Sequence, residues 1–169
     1  MIKMKYYSQW LNQIDPTGSC NVSCLAMALD ALGIKVTPDA LYKRARAKGL
    51  IVTVTDTLTI LAAEYGVVDK FTSGGTFEAI KKAIDLHRPV ILRGYFTNAG
   101  HIINVKGYDK NGLIVNDPWG EWWPTGYDNY ASGENLHYSW NLIGRTCSPE
   151  SPNNPQHIWF HQLYIPKKQ

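Results

Sequence analysis

Gly18-Ser19-Cys20-Asn21-Val22-Ser23-Cys24-Leu25-Ala26-Met27-Ala28-Leu29 runs from a small polar turn straight into an apolar segment, with a cysteine at the junction. Val22, Leu25, Ala26, Leu29 and Leu32 recur at three- and four-residue spacing, which predicts a helix with Ser19 as N-cap and Gly33 as its stop. Cys20 then falls in the first turn, where free backbone N–H groups and the positive end of the helix dipole favour the thiolate, the reactive form of cysteine. A helical cysteine is more often a small buried hydrophobe, and Cys24, one turn on within the apolar stripe, is read that way. Cys20 becomes a nucleophile only if the rest of the chain supplies a base.

Upstream of the helix, Met4-Lys5-Tyr6-Tyr7-Ser8-Gln9-Trp10 reads as a short strand, and Asn12, Asp15, Pro16 and Gly18 make a turn-rich loop into Cys20. Gln9 and Gln13 arrive just ahead of the cysteine. A side-chain amide near a nucleophile can donate to a developing oxyanion, a contact worth about 3–4 kcal/mol in the transition state. Downstream, Thr37-Pro38-Asp39 opens a helix to about Lys48, and Thr55-Asp56-Thr57 caps another running to Tyr65-Gly66. A third helix follows Gly74-Gly75-Thr76, with Phe77, Ile80, Ala83 and Ile84 on one face, so the first half is expected to be helical.

From Pro89 the texture changes. Val90-Ile91-Leu92, Ile102-Ile103-Asn104-Val105 and Leu113-Ile114-Val115 read as buried strands, and residues 157–165 as a final one. Helices followed by antiparallel strands imply an α+β fold in which the N-terminal helices pack on one side of an antiparallel sheet. Between Pro118 and the last strand, the chain is expected to be ordered loop carrying Trp119, Trp122, Trp123, Tyr127, Tyr130, Tyr138 and Trp140. Those rings either pack under the loops or line a groove for sugar rings or an extended peptide.

His101 opens one strand directly after Ala99-Gly100, and Asp117 closes the next just before Pro118-Trp119-Gly120. If the turn is centred on Asp109, the two lie opposite each other within about 5 Å, where the carboxylate can fix the imidazole tautomer. If a Lys110-Asn111-Gly112 loop sets the register, Asp117 faces Val105 instead, about 13 Å along the strand from His101. A thiol at a helix N-terminus, a histidine at a strand start and an acid at the neighbouring strand end have the logic of an activated nucleophile.

With 169 residues the chain is expected to form one domain over 1–169 with a real core. The net charge of +3 comes from scattered Lys and Arg; its densest run, Lys43-Arg44-Ala45-Arg46-Ala47-Lys48, reads as a solvated helix face, and no groove-reading module accompanies it. Nucleic-acid binding is therefore not expected, while an anionic polymer such as bacterial cell wall would suit the charge. Nothing after Met1-Ile2-Lys3-Met4-Lys5 forms the apolar region of a signal peptide, and no run is long enough to cross a bilayer. Synthesis in the cytoplasm without membrane insertion is the expectation. Three cysteines, an odd number with two too close on one helix to brace the fold, argue against a disulfide scaffold. Zinc would need two more ligands at recognisable spacing, and the five histidines are dispersed, so no metal is expected.

The run His101-Ile102-Ile103-Asn104-Val105-Lys106-Gly107-Tyr108, ending in Asn116-Asp117-Pro118-Trp119-Gly120, resembles the histidine hairpin of papain-like cysteine peptidases. With Tyr7-Ser8-Gln9, the Cys20 helix and Trp159-Phe160-His161, the chain most resembles the C39-like peptidase family, and the resemblance covers nearly its whole length. It implies a papain-like fold with Cys20 as nucleophile, His101 as base and acid, Asp117 as orienter, and a glutamine in the oxyanion hole, Gln9 preferred over Gln13. Trp119 would shield the His101–Asp117 contact; Asn21, Trp122 and Trp123 are placed with it and Gln13 among the substrate-binding groups. Where the family often has Cys-Gly-Pro, this chain has Cys20-Asn21-Val22, which alters the oxyanion pocket. The expected reaction is cofactor-free amide hydrolysis by a monomer, on the peptide part of peptidoglycan, as a phage endolysin acting in the periplasm after holin release. A cytosolic peptidase or acyltransferase, and an inactive glycan- or peptide-binding module, remain as alternatives.

Overall fold

In the computed structural model, which describes residues 1–169, the first predicted helix becomes α1 (Cys20–Ala31), and every residue from Asn21 to Leu29 is buried. A helix apolar all round belongs inside a protein, and α1 is the central one here. Around it lie α2 (Pro38–Ala47) and α3 (Thr55–Ala63). Thr37 caps α2 as predicted, its hydroxyl accepting from Ala40 N at 3.1 Å, with Pro38 in the first turn. The cap position of α3 is Val54, not Thr55, because the Thr57 hydroxyl donates to the Ile51 carbonyl instead of closing the helix start.

Next come β1 (Val68–Gly75), α4 (Phe77–Asp85), β2 (Val90–Gly94), β3 (His101–Tyr108) and β4 (Gly112–Asn116). They are followed by β5 (Glu121–Trp123), β6 (Gly126–Asp128), β7 (Leu136–Ser139), α5 (Trp140–Cys147) and β8 (Ile158–Tyr164). Six strands form one sheet in the order β1-β8-β2-β3-β4-β7, antiparallel throughout, and β5 and β6 make a separate hairpin.

Helices cover both faces of this sheet, not one. Asn104 reaches the Cys24 carbonyl of α1 and Asn116 reaches Met27, whereas a Cβ on Gly94 would touch Cys147 of α5. Gly94 pairs with His101, three residues from Asn104, so the two helices sit on opposite sides. Phe77 stacks on Trp140, which joins α4 to α5. Coverage on both faces is why residues 90–92 and 102–105 are continuous apolar runs with a single polar interruption.

The expected strand at residues 4–10 is absent. Ile2 and Met4 are buried and Lys3 and Lys5 exposed, the alternation of a strand, yet the arm has no ladder and gives way to a 3-10 turn at Gln9–Leu11. Its one anchor on the sheet is the Ile2 N–H to the Lys106 carbonyl at 2.7 Å, an acceptor left free by a bulge between Val105 and Gly107. Five elements lie in sequence expected to be helix-flanking or loop: β1 and β7, the two sheet edges, the hairpin strands β5 and β6, and α5. Edge strands need only one partner and carry little periodicity, and their pairing with β8 and β4 defines them.

Candidate active site

Cys20 is the first residue of α1, at the helix end where backbone N–H groups lack intrahelical partners. Ser19 occupies the cap position, but its hydroxyl does not cap; Asn12 Nδ2 donates to Ser19 Oγ and Ser23 Oγ, both at 2.9 Å, clamping the first turn from outside. The loop before Cys20 is pinned as well: Asp39 accepts from Gln13 N and Ile14 N, Asp15 from the Tyr42 hydroxyl, and Gln9 N donates to the Pro118 carbonyl. The nucleophile loop is thus tied to the segment carrying Asp117 before any side chain of the site is considered.

His101 begins β3 after Gly100, whose φ of +85 supplies a left-handed turn that a side chain would resist. Its Nε2 donates to Asp117 Oδ1 at 2.7 Å. Neither register considered from the sequence holds. Asn104 pairs with Asn116 and Val105 with Val115, which puts Asp117 opposite Ile103 and His101 on the diagonal. Diagonal neighbours about 7–8 Å apart are bridged when one side chain is long, and the imidazole is.

Asp117 is fully buried, and both its oxygens are filled. Oδ1 accepts from His101 Nε2 and from Trp119 N at 3.0 Å; Oδ2 accepts from the hydroxyls of Tyr127 and Tyr138, each at 2.8 Å. Its backbone N–H donates to the Gly133 carbonyl and its carbonyl accepts from the Tyr6 hydroxyl. A Cβ on Gly133 would overlap that same carbonyl oxygen. Tyr6, Tyr127 and Tyr138 were not identified from the sequence as part of this arrangement. They lie 111, 10 and 21 residues from Asp117, and no local pattern marks them. Burial and the adjacent carboxylate hold the phenols of Tyr127 and Tyr138 protonated, so both stay donors.

Burial opposes a charge on His101, but attraction to Asp117, their hydrogen bond and the neighbouring Cys20 outweigh it and push the imidazole from 6.5 to about 10. Phe96, Trp119 and Tyr127 box the ring in, with Trp119 at 6.2 Å beside it. Nε2 being taken by Asp117, Nδ1 is left for the thiol side. Cys20 and His101 line one cavity of about 130 Å³ together with Asn21. Cys24 contrasts with Cys20: it is buried, its thiol donates to the Ile102 carbonyl at 3.4 Å, and burial raises it well above 9.0, so it packs as the sequence suggested.

Asn21 is brought to the sulfur, its Oδ1 accepting from Cys20 Sγ at 3.4 Å. Gln9 is buried and spends one amide N–H on the Pro16 carbonyl, while Gln13 is exposed; neither lines the cavity. Trp119 stacks on Trp10 at 4.3 Å, and Trp10 Nε1 donates to the Trp119 carbonyl. Trp122 and Trp123 sit on the β5–β6 hairpin, Trp123 half exposed, away from the cavity walls. No three His, Cys, Asp or Glu side chains converge as metal ligands.

No curated protein matches the chain significantly. Among solved structures, a double glycine motif protease from an AMS/PCAT transporter, in complex with its leader peptide, superposes with a TM-score of 0.61 at 16% identity, covering 95% of this chain and 92% of that one. The peptidase domain of Streptococcus ComA, a bifunctional ABC transporter of a quorum-sensing pathway, gives 0.60 at 18% identity, covering 96% and 100%. At those identities the likeness is one of fold, the papain-like α+β arrangement of C39 peptidase domains. The sequence model of the Peptidase C39 like family matches residues 1–148, a span that takes in α1, β3 and β4, and the chain therefore belongs to that family of papain-like cysteine peptidases.

Proposed function

We propose that Cys20, His101 and Asp117 hydrolyse amide bonds and that the substrate is the peptide part of bacterial peptidoglycan. The observation that carries the chemistry is the imidazole held by Asp117 on one nitrogen with the Cys20 thiol on its other side. An imidazolium beside the sulfur favours a thiolate, which attacks the substrate carbonyl. The oxyanion so formed is met by the Cys20 backbone N–H at the helix N-terminus. His101 then gives its proton to the leaving amine, takes one from water, and the hydroxide releases the acyl group from sulfur. Asp117 keeps its charge throughout and holds the ring. Asn21 Nδ2, uncommitted at the cavity wall, is a contact for the substrate backbone.

For the substrate, support comes from the net charge of +3 and from two exposed aromatic side chains after Pro118, Trp123 and Tyr130. Peptidoglycan is an anionic polymer of sugars and short peptides, and aromatic faces suit both. No helix is long and apolar enough to cross a membrane, and the delivery route that belongs to this reading is a holin of a phage lysis system. A second reading rests on the relative solved with a leader peptide, which favours an extended polypeptide instead.

The test is a digest of purified Gram-negative peptidoglycan by the wild type and by Cys20→Ala, with mass spectrometry of the soluble fragments. New amine and carboxyl ends from the wild type alone are expected, and they name the bond. Equal release by both proteins would remove Cys20 as nucleophile. Release by neither, with cleavage of an unfolded polypeptide by the wild type, would replace the peptidoglycan reading by the second.

A further inference from the structure

The cavity that holds Cys20 and His101 has a second imidazole in its wall. His161 of β8 donates from Nδ1 to Asp69 Oδ2 of β1 at 2.7 Å, and Thr59 of α3 donates to the same oxygen at 2.8 Å. His161 and Asp69 are buried and Thr59 half-buried, and Asp69 Oδ1 has no partner. Two hydrogen bonds on one carboxylate oxygen orient the ring, and they leave His161 Nε2 without a protein partner at the cavity lined by Cys20 and His101. A buried carboxylate–histidine pair that no step of the hydrolysis uses is costly to keep unless its free nitrogen contacts something.

Arg93 supplies the charge beside it. Ile91 pairs with His161 across β2 and β8, and Arg93, two residues on, projects from the same face of the sheet. Its guanidinium lies over Trp159 at 5.2 Å and makes no ion pair with any Asp or Glu. Phe71 packs edge-on to Trp159 and against His161, so three strands present one rigid platform. Arg93 also lines a larger neighbouring cavity of about 390 Å³ with Trp159, so the cation stands where the two spaces meet.

We propose that Arg93 and His161, the latter positioned by Asp69, form a subsite for a carboxylate on the substrate, borne by a residue close to the scissile bond. The inference rests on the peptidase reading of the same cavity. An unpaired guanidinium presents a planar fork that matches a carboxylate through two hydrogen bonds, and stacking on Trp159 holds the fork in place. His161 Nε2 adds a third contact as donor when the ring carries both protons. The space of about 130 Å³ beside Cys20 accepts a group of that size. Acidic residues in a short peptide, with side-chain or terminal carboxylates, are the chemical class this selects.

Quenched fluorescent hexapeptides, identical except that one position at a time carries Glu or Gln, test the subsite. The wild type is expected to favour Glu at one position by about tenfold or more in kcat/KM, as for a charge-assisted pair against a neutral isostere. In Arg93→Ala that Glu-to-Gln ratio falls to near one, and in His161→Gln it falls part of the way. A merely structural role slows both peptides alike and leaves the ratio standing. A ratio near one at every position in the wild type, or one that Arg93→Ala leaves unchanged, overturns the subsite while the peptidase reading stands. If the wild type cleaves no peptide, the same ratio is read as dissociation constants on Cys20→Ala by fluorescence anisotropy. Glu preference lost with Arg93 then sustains the subsite and counts against the hydrolysis, and no preference overturns both.

Discussion

Asp117 accepts four hydrogen bonds on two oxygens, from an imidazole, a backbone N–H and two phenols, so its charge is satisfied before any substrate arrives. What that charge does is visible one residue away, where His101 is pushed to about 10 despite full burial. Asp117→Asn removes the attraction and places an amide where two hydroxyls now donate. The alkaline limb of the pH profile of kcat/KM is expected to move down toward the ordinary 6.5 of histidine, and kcat to fall by about 10²–10⁴-fold. Rates on a cleaved peptide between pH 5 and 10 check this. An alkaline limb left in place would mean that Asp117 does not set the protonation of His101.

The two tyrosines come from different elements, which are also joined by Trp122 N donating to the Tyr138 hydroxyl at 3.1 Å. Tyr127 lies on the β5–β6 hairpin and Tyr138 on the sheet-edge strand β7, yet both end on Asp117 Oδ2. The hairpin and the edge strand thereby hold the orienting carboxylate from outside, much as Trp10 and Gln9 hold it from the nucleophile side through Trp119 and Pro118. Tyr127→Phe or Tyr138→Phe deletes one hydrogen bond to a charged group and is expected to cost about 1.5–3 kcal/mol in urea unfolding. The double variant is expected to lose more than the sum, because one buried oxygen is then left without a donor. Strictly additive losses would show that each phenol acts by packing alone.

For the molecule as a whole, the groups with displaced proton affinities fix a stability window. His101 keeps its proton to about 10 when folded and to 6.5 otherwise, so its contribution is complete below 6.5 and is lost as the pH rises through 10. Burial moves the Cys147 thiol from 9.0 to about 12, so the folded state again holds a proton that the unfolded chain releases, and stability falls further above 9.0. Hydrogen bonds from Arg44 and Lys48 lower Glu64 from 4.5 to about 2, a contribution present above 4.5, lost on acidification and screened by salt because the pair is exposed. Urea midpoints are therefore expected to be highest between about pH 4.5 and 6.5 and to decline toward 10, with His101→Gln flattening the first part of the decline. A midpoint that rises between pH 7 and 9 would contradict the assignment.

The local features of this chain were legible in order. An apolar segment with a polar start made α1 and set Cys20 in its first turn; Thr37-Pro38 and Thr76 opened α2 and α4; continuous apolar runs became β2, β3 and β4. These follow from caps and periodicity, which act over a few residues. The strand-like alternation of the first residues misled because burial alternates there without a partner strand. The closeness of His101 and Asp117 was legible but its register was not, since the bulge at Lys106 shifts the hairpin between the two simple alternatives. Only the tertiary structure decided the edge strands β1 and β7, the three tyrosines on Asp117, and the His161–Asp69 pair joined across 92 residues. Such contacts carry no local signature, because they arise when the packing of a whole sheet brings distant side chains to one place, and a residue's own neighbours in sequence say nothing about that.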